Sequence, residues 1–221
     1  KSKLEIIPIG VDTNLFSMPS NMQRLKIRNK LGLTKDQLII GSFQKDGQGW
    51  VEGNIPKLIK GPDLFVRSVE IIAKQFPVVV LLTGPARGYV KKQLSKRQIK
   101  FIHIFAKSYN EIADLYHALD LYIVSSREEG GPKAIVESMA SGVPIISTNV
   151  GMAKDFIFDG KNGGLVDSFD PKEIAQKSIE IINFSEKEVI INTARKDVMR
   201  ADWRNVAHMY WDKVYKAGIK N

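Results

Sequence analysis

Two carboxylates and a glycine pair make up the segment of this chain best suited to chemistry. Glu129 and Glu137 lie eight positions apart, with Gly130, Gly131 and Lys133 between them. The glycines let an oxyanion approach the main-chain amides, including that of Lys133, at the start of a predicted helix, where the dipole is positive. Carboxylates accept hydrogen bonds from hydroxyl groups. The combination suits a ligand that carries both hydroxyls and phosphates.

Two short apolar runs are expected to position this segment. Residues 121–124 and 143–146 are too few for helices and are rich in β-branched side chains, which predicts buried parallel strands. Pro132 suits the first turn of the helix between them, and Gly142 with Pro144 marks its end. The result is a β-loop-α-β unit whose two carboxylates can face a crevice at the carboxyl end of the sheet.

A simpler interpretation exists for each of these residues taken alone. Glu137 could pair with Lys133 one turn earlier, for roughly a few tenths of a kcal/mol. Glu129 could be a solvated loop charge, and the two glycines could be turn residues only. The combined spacing between two buried strands favours the functional interpretation.

The segment EGGPKAIVESMASGVP, residues 129–144, resembles the E-x7-E signature of retaining glycosyltransferases of the group 1 type (family 4), and Val150 and Gly151 extend the likeness. Those enzymes have the two-domain GT-B fold and use a nucleotide-diphosphate sugar as donor. The resemblance implies that Glu137 holds the ribose hydroxyls and that Glu129 holds the donor sugar. It implies further donor contacts at Gly130, Gly131, Lys133 and Ala134.

The same resemblance adds two lysines and a base-contact segment. In the family, an Arg at the end of a strand and a Lys before the next helix neutralise the donor diphosphate. Here Lys45 stands at the Arg position and Lys60 matches the Lys. Lys45 lacks the bidentate fork of arginine, and ordinary surface charge is the alternative for both lysines. Backbone groups after the predicted strand 101–105 contact the base in the family, which implies Ala106 and Lys107.

A long loop is expected between the predicted strand 38–43 and the helix that Pro62 opens. Four glycines and two prolines between residues 44 and 63 disfavour helix and strand, so a mobile, functional loop should cover about 44–59. Trp50 is expected to anchor this loop against the core, with stacking on a ligand as the alternative.

Alternating strand and helix patterns indicate the fold class. Strands are expected at 38–43, 78–82, 101–105, 121–124 and 143–146, and helices at 62–76, 109–118, 171–183 and 186–200, with Ser20 capping a helix that ends near 31. This alternation predicts an α/β, Rossmann-like doubly wound parallel sheet. The resemblance makes it the C-terminal half of a GT-B fold.

Residues 1–221 are expected to form one nucleotide-sugar-binding domain. Residues 4–16 begin with a strand-like apolar run and resemble the segment that opens the C-terminal domain in the family, so the N-terminal acceptor domain is expected to be absent from this chain. A last helix at about 203–217 resembles the family's crossover helix and carries an apolar stripe that needs a partner surface. The chain alone is therefore expected to bind a donor but to lack turnover.

The composition leaves several partner classes open. With 33 basic and 24 acidic residues, the net charge of +9 suits an anionic ligand, a nucleic acid or an anionic membrane surface. The densest basic stretch, residues 91–100, is typical of the solvated face of an amphipathic helix. The absence of cysteine fits a reducing compartment, so the protein is expected in the cytoplasm, with peripheral membrane contact as the lesser possibility.

Three functions are compatible with these sequence features. The main one is transfer of a sugar from a UDP-, GDP- or ADP-linked donor to a glycan or lipid-linked acceptor. A GT-B sugar-nucleotide epimerase would share the donor crevice, and a basic nucleic-acid-binding module would instead show a steep salt dependence. No cofactor or metal is expected, because the three histidines lack ligand spacing and no Asp-x-Asp pair occurs.

Overall fold

Parallel strands form one sheet in the computed structural model of this protein, which describes residues 5–216. The strands are β1 (Leu38–Phe43), β2 (Val78–Thr83), β3 (Lys100–Ile104), β4 (Leu121–Val124), β5 (Ile145–Thr148) and β6 (Gly164–Val166). They lie in the order β3-β2-β1-β4-β5-β6, and every neighbouring pair is parallel. The strand order reverses between β1 and β4, so the sheet has its topological switch point there.

Helices precede, connect and follow these strands. They are α1 (Asn21–Lys30), α2 (Pro62–Ile72), α3 (Gly88–Lys96), α4 (Tyr109–Tyr116), α5 (Lys133–Ala140), α6 (Ala153–Phe156), α7 (Pro171–Asn183), α8 (Lys187–Val198) and α9 (Trp203–Tyr210). The predicted cap of α1 is confirmed, because Ser20 Oγ accepts from the Gln23 amide at 3.2 Å while the Gln23 side chain accepts from the Ser20 amide at 2.8 Å.

Side chains on the two faces of the sheet enter two separate cores. Ile40 belongs to a core cluster with residues of α2, α3 and α7, whereas the preceding residue, Ile39, belongs to a cluster with residues of α4, α5 and α8. This alternation follows from the two-residue period of a strand. All six residues of β2 are buried, as expected for a central strand covered by helices on both faces. The predicted Rossmann-like doubly wound sheet is confirmed.

The beginning of the described chain differs from the prediction. Residues 5–10 form no strand, and Val11 makes only an isolated bridge with Asp202. Pro8 offers no backbone donor and Gly10 packs too closely against the Trp203 ring to carry a side chain, so an extended ladder is disfavoured there. The predicted apolar strand is therefore wrong over residues 5–10, and Leu4 lies outside the described residues.

Several element boundaries also need correction. β5 begins two residues later than predicted, because Gly142 adopts a left-handed conformation (φ +69°) and the turn after α5 extends to Pro144. Pro132 is the N-cap of α5 instead of lying in its first turn. The short elements β6 and α6 were not predicted, since three or four residues carry no readable period.

The last helix is shorter in its regular part than predicted. α9 ends at Tyr210 and continues as a π-helical segment, Trp211–Tyr215, while Ala217 lies outside the described residues. Within its predicted apolar stripe, Val206 is buried, but Trp203 and Val214 remain substantially exposed.

Gly61 offers a test of how closely the loop before α2 approaches β4. Its φ is +61°, and a Cβ there would lie 1.7 Å from the Ser125 carbonyl oxygen. Gly49 has a similar φ of +75° but nothing within 4 Å of a Cβ. We expect Gly49→Ala to lower the free energy of unfolding by about 1–2 kcal/mol, the cost of the left-handed backbone. Gly61→Ala should cost clearly more in urea denaturation, and equal losses would contradict this contact.

Candidate functional site

The carboxyl ends of β1, β2 and β4 open into one crevice of about 420 Å³ at the switch point of the sheet. The last residue of each of these strands, Phe43, Thr83 and Val124, lines it. Seven residues predicted from the sequence line it as well: Lys45, Lys60, Glu129, Gly131, Lys133, Ala134 and Glu137. The structure therefore brings both carboxylates and three lysines together around one opening.

Glu137 is the most deeply buried charged group of the crevice, with 6% of the residue exposed. The Tyr109 phenol donates a hydrogen bond to Oε1, and the Tyr116 phenol donates to Oε2 at 3.1 Å. Burial raises the pKa of Glu137, and the two phenol hydrogen bonds oppose that shift. The simpler interpretation, an ion pair with Lys133, is wrong here, because the Lys133 ammonium lies over the Tyr109 ring, 4.8 Å from its centroid.

Glu129 and Lys60 form an ion pair across the crevice. Lys60 ends a short 3₁₀ turn, Leu58–Lys60, and its Nζ lies 2.5 Å from Glu129 Oε1. Ser126 Oγ donates to the same carboxylate oxygen at 3.0 Å. Both side chains are largely shielded, so the interpretation of Glu129 as a solvated loop charge is wrong.

Lys45 reaches the crevice from the other end of the same loop. Its Nζ lies 3.4 Å from the centroid of the Trp50 ring, within the range of a cation–π contact. Trp50 is 78% exposed. The prediction that Trp50 anchors the loop against the core is therefore wrong, because its indole covers the Lys45 side chain and leaves most of its surface in solvent.

A buried ion pair anchors the loop instead. Asp46 and Arg87 are both fully buried, with Arg87 Nη2 3.0 Å from Asp46 Oδ2. Arg87 also donates to the Ser42 carbonyl at 2.6 Å and to the Thr83 carbonyl at 2.9 Å, which ties the ends of β1 and β2 together. The expected long irregular loop is present, but its base is held against the segment before α3.

The remaining predicted residues lie outside the crevice lining. Gly130 borders a neighbouring cavity of about 770 Å³ that also contacts residues 6–9. Ala106 and Lys107 do not line the crevice, and the Lys107 amide donates to Glu111 Oε2 at 2.6 Å. Their contact with a base stays a prediction. Tyr109 lines the crevice instead, and it was not predicted from the sequence. It directly follows Ser108, the N-cap of α4, and that position was the one available signal.

The chemistry available in the crevice is anion binding beside hydroxyl recognition. Three ammonium groups can meet a polyanion, and two carboxylates can accept from hydroxyls. Between residues 5 and 216, no group of three or more His, Cys, Asp or Glu side chains is placed to hold a metal ion. Over the same residues, no helix is both long and apolar enough to cross a bilayer.

The fold and the crevice together define an α/β protein of the Rossmann type. Within that class, the chain belongs to the family described as glycosyl transferases group 1, whose sequence model matches residues 53–197. A D-inositol 3-phosphate glycosyltransferase of Xylanimonas cellulosilytica is 28% identical over 179 residues, which cover 76% of this chain and 40% of that protein. The chain spans about half the length of the curated relatives it matches.

Solved structures share this fold. A glycosyltransferase from Rickettsia africae has a TM-score of 0.81 at 22% identity, covering 98% of this chain and 57% of its own. HepE from Anabaena, solved in complex with UDP-glucose, has a TM-score of 0.76 at 23% identity, covering 97% of this chain and 57% of its own. The predicted GT-B relationship is thereby confirmed at the level of family and fold.

Breaking the buried anchor should destabilise the protein far more than breaking a surface pair. Arg87→Met would leave the Asp46 carboxylate buried without a cation, which costs about 3–5 kcal/mol. Arg97→Met removes the partly exposed pair with Glu70 and should cost about 0–1 kcal/mol. Urea denaturation measures both losses, and adding Asp46→Asn to Arg87→Met should recover part of the larger one. Similar losses for the two arginines would show that the anchor contributes little.

Proposed function

We propose that this chain is the donor-binding domain of a retaining group 1 glycosyltransferase and binds a nucleotide-diphosphate sugar in the crevice between β1 and β4. The observation that carries the proposal is the convergence of Glu129, Glu137 and three lysines on one opening at the switch point. Membership of the glycosyl transferases group 1 family supports it. The complex of HepE with UDP-glucose supports a nucleotide sugar as the class of ligand.

Each part of the donor has a proposed place. The ribose hydroxyls donate to Glu137, and the base lies toward Ala106 and Lys107. The diphosphate lies near the start of α5, where the amides of Gly131 and Lys133 and the positive end of the helix dipole favour an anion. Lys60 and Lys45 add fixed positive charge, and the donor sugar lies against Glu129.

The Lys60–Glu129 pair suggests how the diphosphate is bound. At 2.5 Å and largely shielded, the two charges neutralise each other in this structure. A diphosphate that approaches Lys60 offers stronger negative charge than one carboxylate. Lys60 then turns to the phosphates, and Glu129 becomes available to accept from hydroxyls of the sugar.

The proposed catalytic contribution is electrostatic. When the bond between the anomeric carbon and the diphosphate breaks, negative charge grows on the leaving diphosphate. Lys60, Lys45 and the amides at the start of α5 are preorganised to stabilise that charge, so the proposed mechanism rests on the protein's own cations. The acceptor, a glycan or a lipid-linked sugar, is proposed to bind to an N-terminal domain of the full enzyme, in the cytoplasm.

Lys60→Ala tests the proposed role of the lysine. The variant should lower the affinity for a nucleoside diphosphate roughly tenfold or more and change the affinity for the matching nucleoside little, because only the diphosphate presents the charge that Lys60 meets. Isothermal titration calorimetry with UDP, GDP and ADP and their nucleosides measures the difference. Lys57→Ala is the matched control, since Lys57 is exposed on the same loop and does not line the crevice. Equal, small effects on the affinities for the nucleoside and the diphosphate would show that Lys60 does not contact the diphosphate.

The 221-residue chain should bind a donor without transferring its sugar. Transfer requires an acceptor held against the anomeric carbon and shielded from water, and we place the other wall of that cleft outside this chain. Assays of nucleotide release and of sugar transfer, run beside a calorimetric titration of the donor, measure both properties. Robust transfer by this chain would contradict the proposal that the other wall of the cleft lies outside it. Conversion of the sugar to its epimer would favour the epimerase.

A further inference from the structure

Tyr109 engages two of the groups that we assign to the donor. Its phenol donates a hydrogen bond to Glu137 Oε1, and its ring face carries the Lys133 ammonium at 4.8 Å. Tyr109 itself lines the crevice and is 38% exposed. It therefore lies between the opening and the carboxylate.

The surroundings of Glu137 leave a ligand one direction of approach. Oε2 faces the core, where it accepts from the fully buried Tyr116. Oε1 faces the crevice and accepts from Tyr109. Because Glu137 is only 6% exposed, a hydroxyl group that reaches Oε1 from the crevice meets the Tyr109 phenol already hydrogen-bonded there.

We propose that Tyr109 competes with the ribose of the nucleotide for Glu137, so that donor binding requires the Tyr109 phenol to leave the carboxylate. This inference rests on the proposed function. It makes Tyr109 a specificity-determining residue. A ligand with a ribose diol replaces the lost hydrogen bond with its own hydroxyls, whereas a ligand without that diol cannot replace the phenol and leaves the Tyr109–Glu137 hydrogen bond in place.

The packing around Tyr109 is consistent with such movement. Tyr109 is the first residue of α4, and its ring meets the Phe16 ring edge-on at 5.1 Å between centroids. Lys133 lies at the first position of α5, on a flexible stem. Burial and the neighbouring Glu137 carboxylate raise the pKa of the Tyr109 phenol, so it remains a neutral hydrogen-bond donor at physiological pH. Displacement by a ligand is then an exchange of one hydroxyl donor for another.

Tyr109→Phe separates the phenol from the rest of the side chain. The variant keeps the ring against Phe16 and Lys133 and removes only the competing donor. We expect calorimetry to show that it binds a ribonucleoside diphosphate roughly threefold to tenfold more tightly than the wild-type chain, a range set by the net worth of one hydrogen bond. The probe is whichever of UDP, GDP and ADP the wild-type chain binds most tightly.

Tyr116→Phe is the matched control, because it removes the other phenol from the same carboxylate. Tyr116 donates from the core and does not line the crevice, so its loss should weaken nucleotide binding or leave it unchanged. A gain equal to that of Tyr109→Phe would mean that any loss of a partner at Glu137 favours binding. That result would overturn direct competition.

A 2′,3′-dideoxy analogue of the same diphosphate identifies the competing group. Its binding should not improve in Tyr109→Phe, because it has no hydroxyls for Glu137. An equal gain for the ribonucleotide and its dideoxy analogue would show that the variant only opens space, which overturns the inference. Unchanged or weaker ribonucleotide binding by Tyr109→Phe would do the same and leave the proposed function standing. Failure of the wild-type chain and both variants to bind any of the three diphosphates would refute the proposed function itself.

Discussion

Burying the carboxylate of Glu137 costs free energy, because the charged form loses water, and the crevice is built around the groups that offset that cost. Tyr116 supplies one hydrogen bond and is itself fixed by Phe16, Phe43 and Tyr122, whose rings meet it with centroids 4.9–5.7 Å away. Phe43 ends β1, and its amide donates to the Tyr122 hydroxyl at 2.7 Å. The hydrogen bonds and ring contacts that stabilise the carboxylate thus connect α4 and α5 to β1 and β4.

The loop after β1 contributes two lysines to the lining of the same crevice. Lys45 and Lys60 lie at its two ends, so the geometry of the loop fixes the separation of the two ammonium groups. The buried Asp46–Arg87 pair holds the loop beside Lys45, and hydrogen bonds from Arg87 to the ends of β1 and β2 connect it to the sheet. A loop rich in glycine can therefore present charged groups reproducibly, which electrostatic recognition of a diphosphate requires.

The sequence predicted the parts of the fold that depend on local pattern. β1 and β4 have the predicted bounds because β4 is a continuous apolar run and β1 begins and ends on apolar residues, and the spacing of Glu129 and Glu137 placed both at the crevice. Contacts between distant residues were not predictable in this way. Tyr109 and Glu137 are 28 positions apart, and nothing in either neighbourhood indicates their hydrogen bond.

The surroundings of Trp50 and of Arg87 were missed for the same physical reason. The exposed Trp50 was expected in the core because an indole is large and apolar, yet the Lys45 ammonium offers it a partner at the surface. Arg87 was not singled out from the sequence, yet it pairs in the interior with Asp46, 41 positions earlier. Apolar burial follows from the composition of a segment, whereas the partner of a polar group depends on how the whole chain is arranged.

The charged side chains of the crevice already have partners in this structure. Lys60 holds Glu129, Tyr109 holds Glu137, and Lys45 lies on Trp50. Binding free energy is then the difference between these internal contacts and those with the ligand, so one favourable group on a ligand gains little by itself. A molecule that carries phosphates, a ribose diol and a sugar can exchange several pairs at once. A simple anion exchanges only one, and this difference gives the crevice a physical basis for selecting a nucleotide sugar over free phosphate.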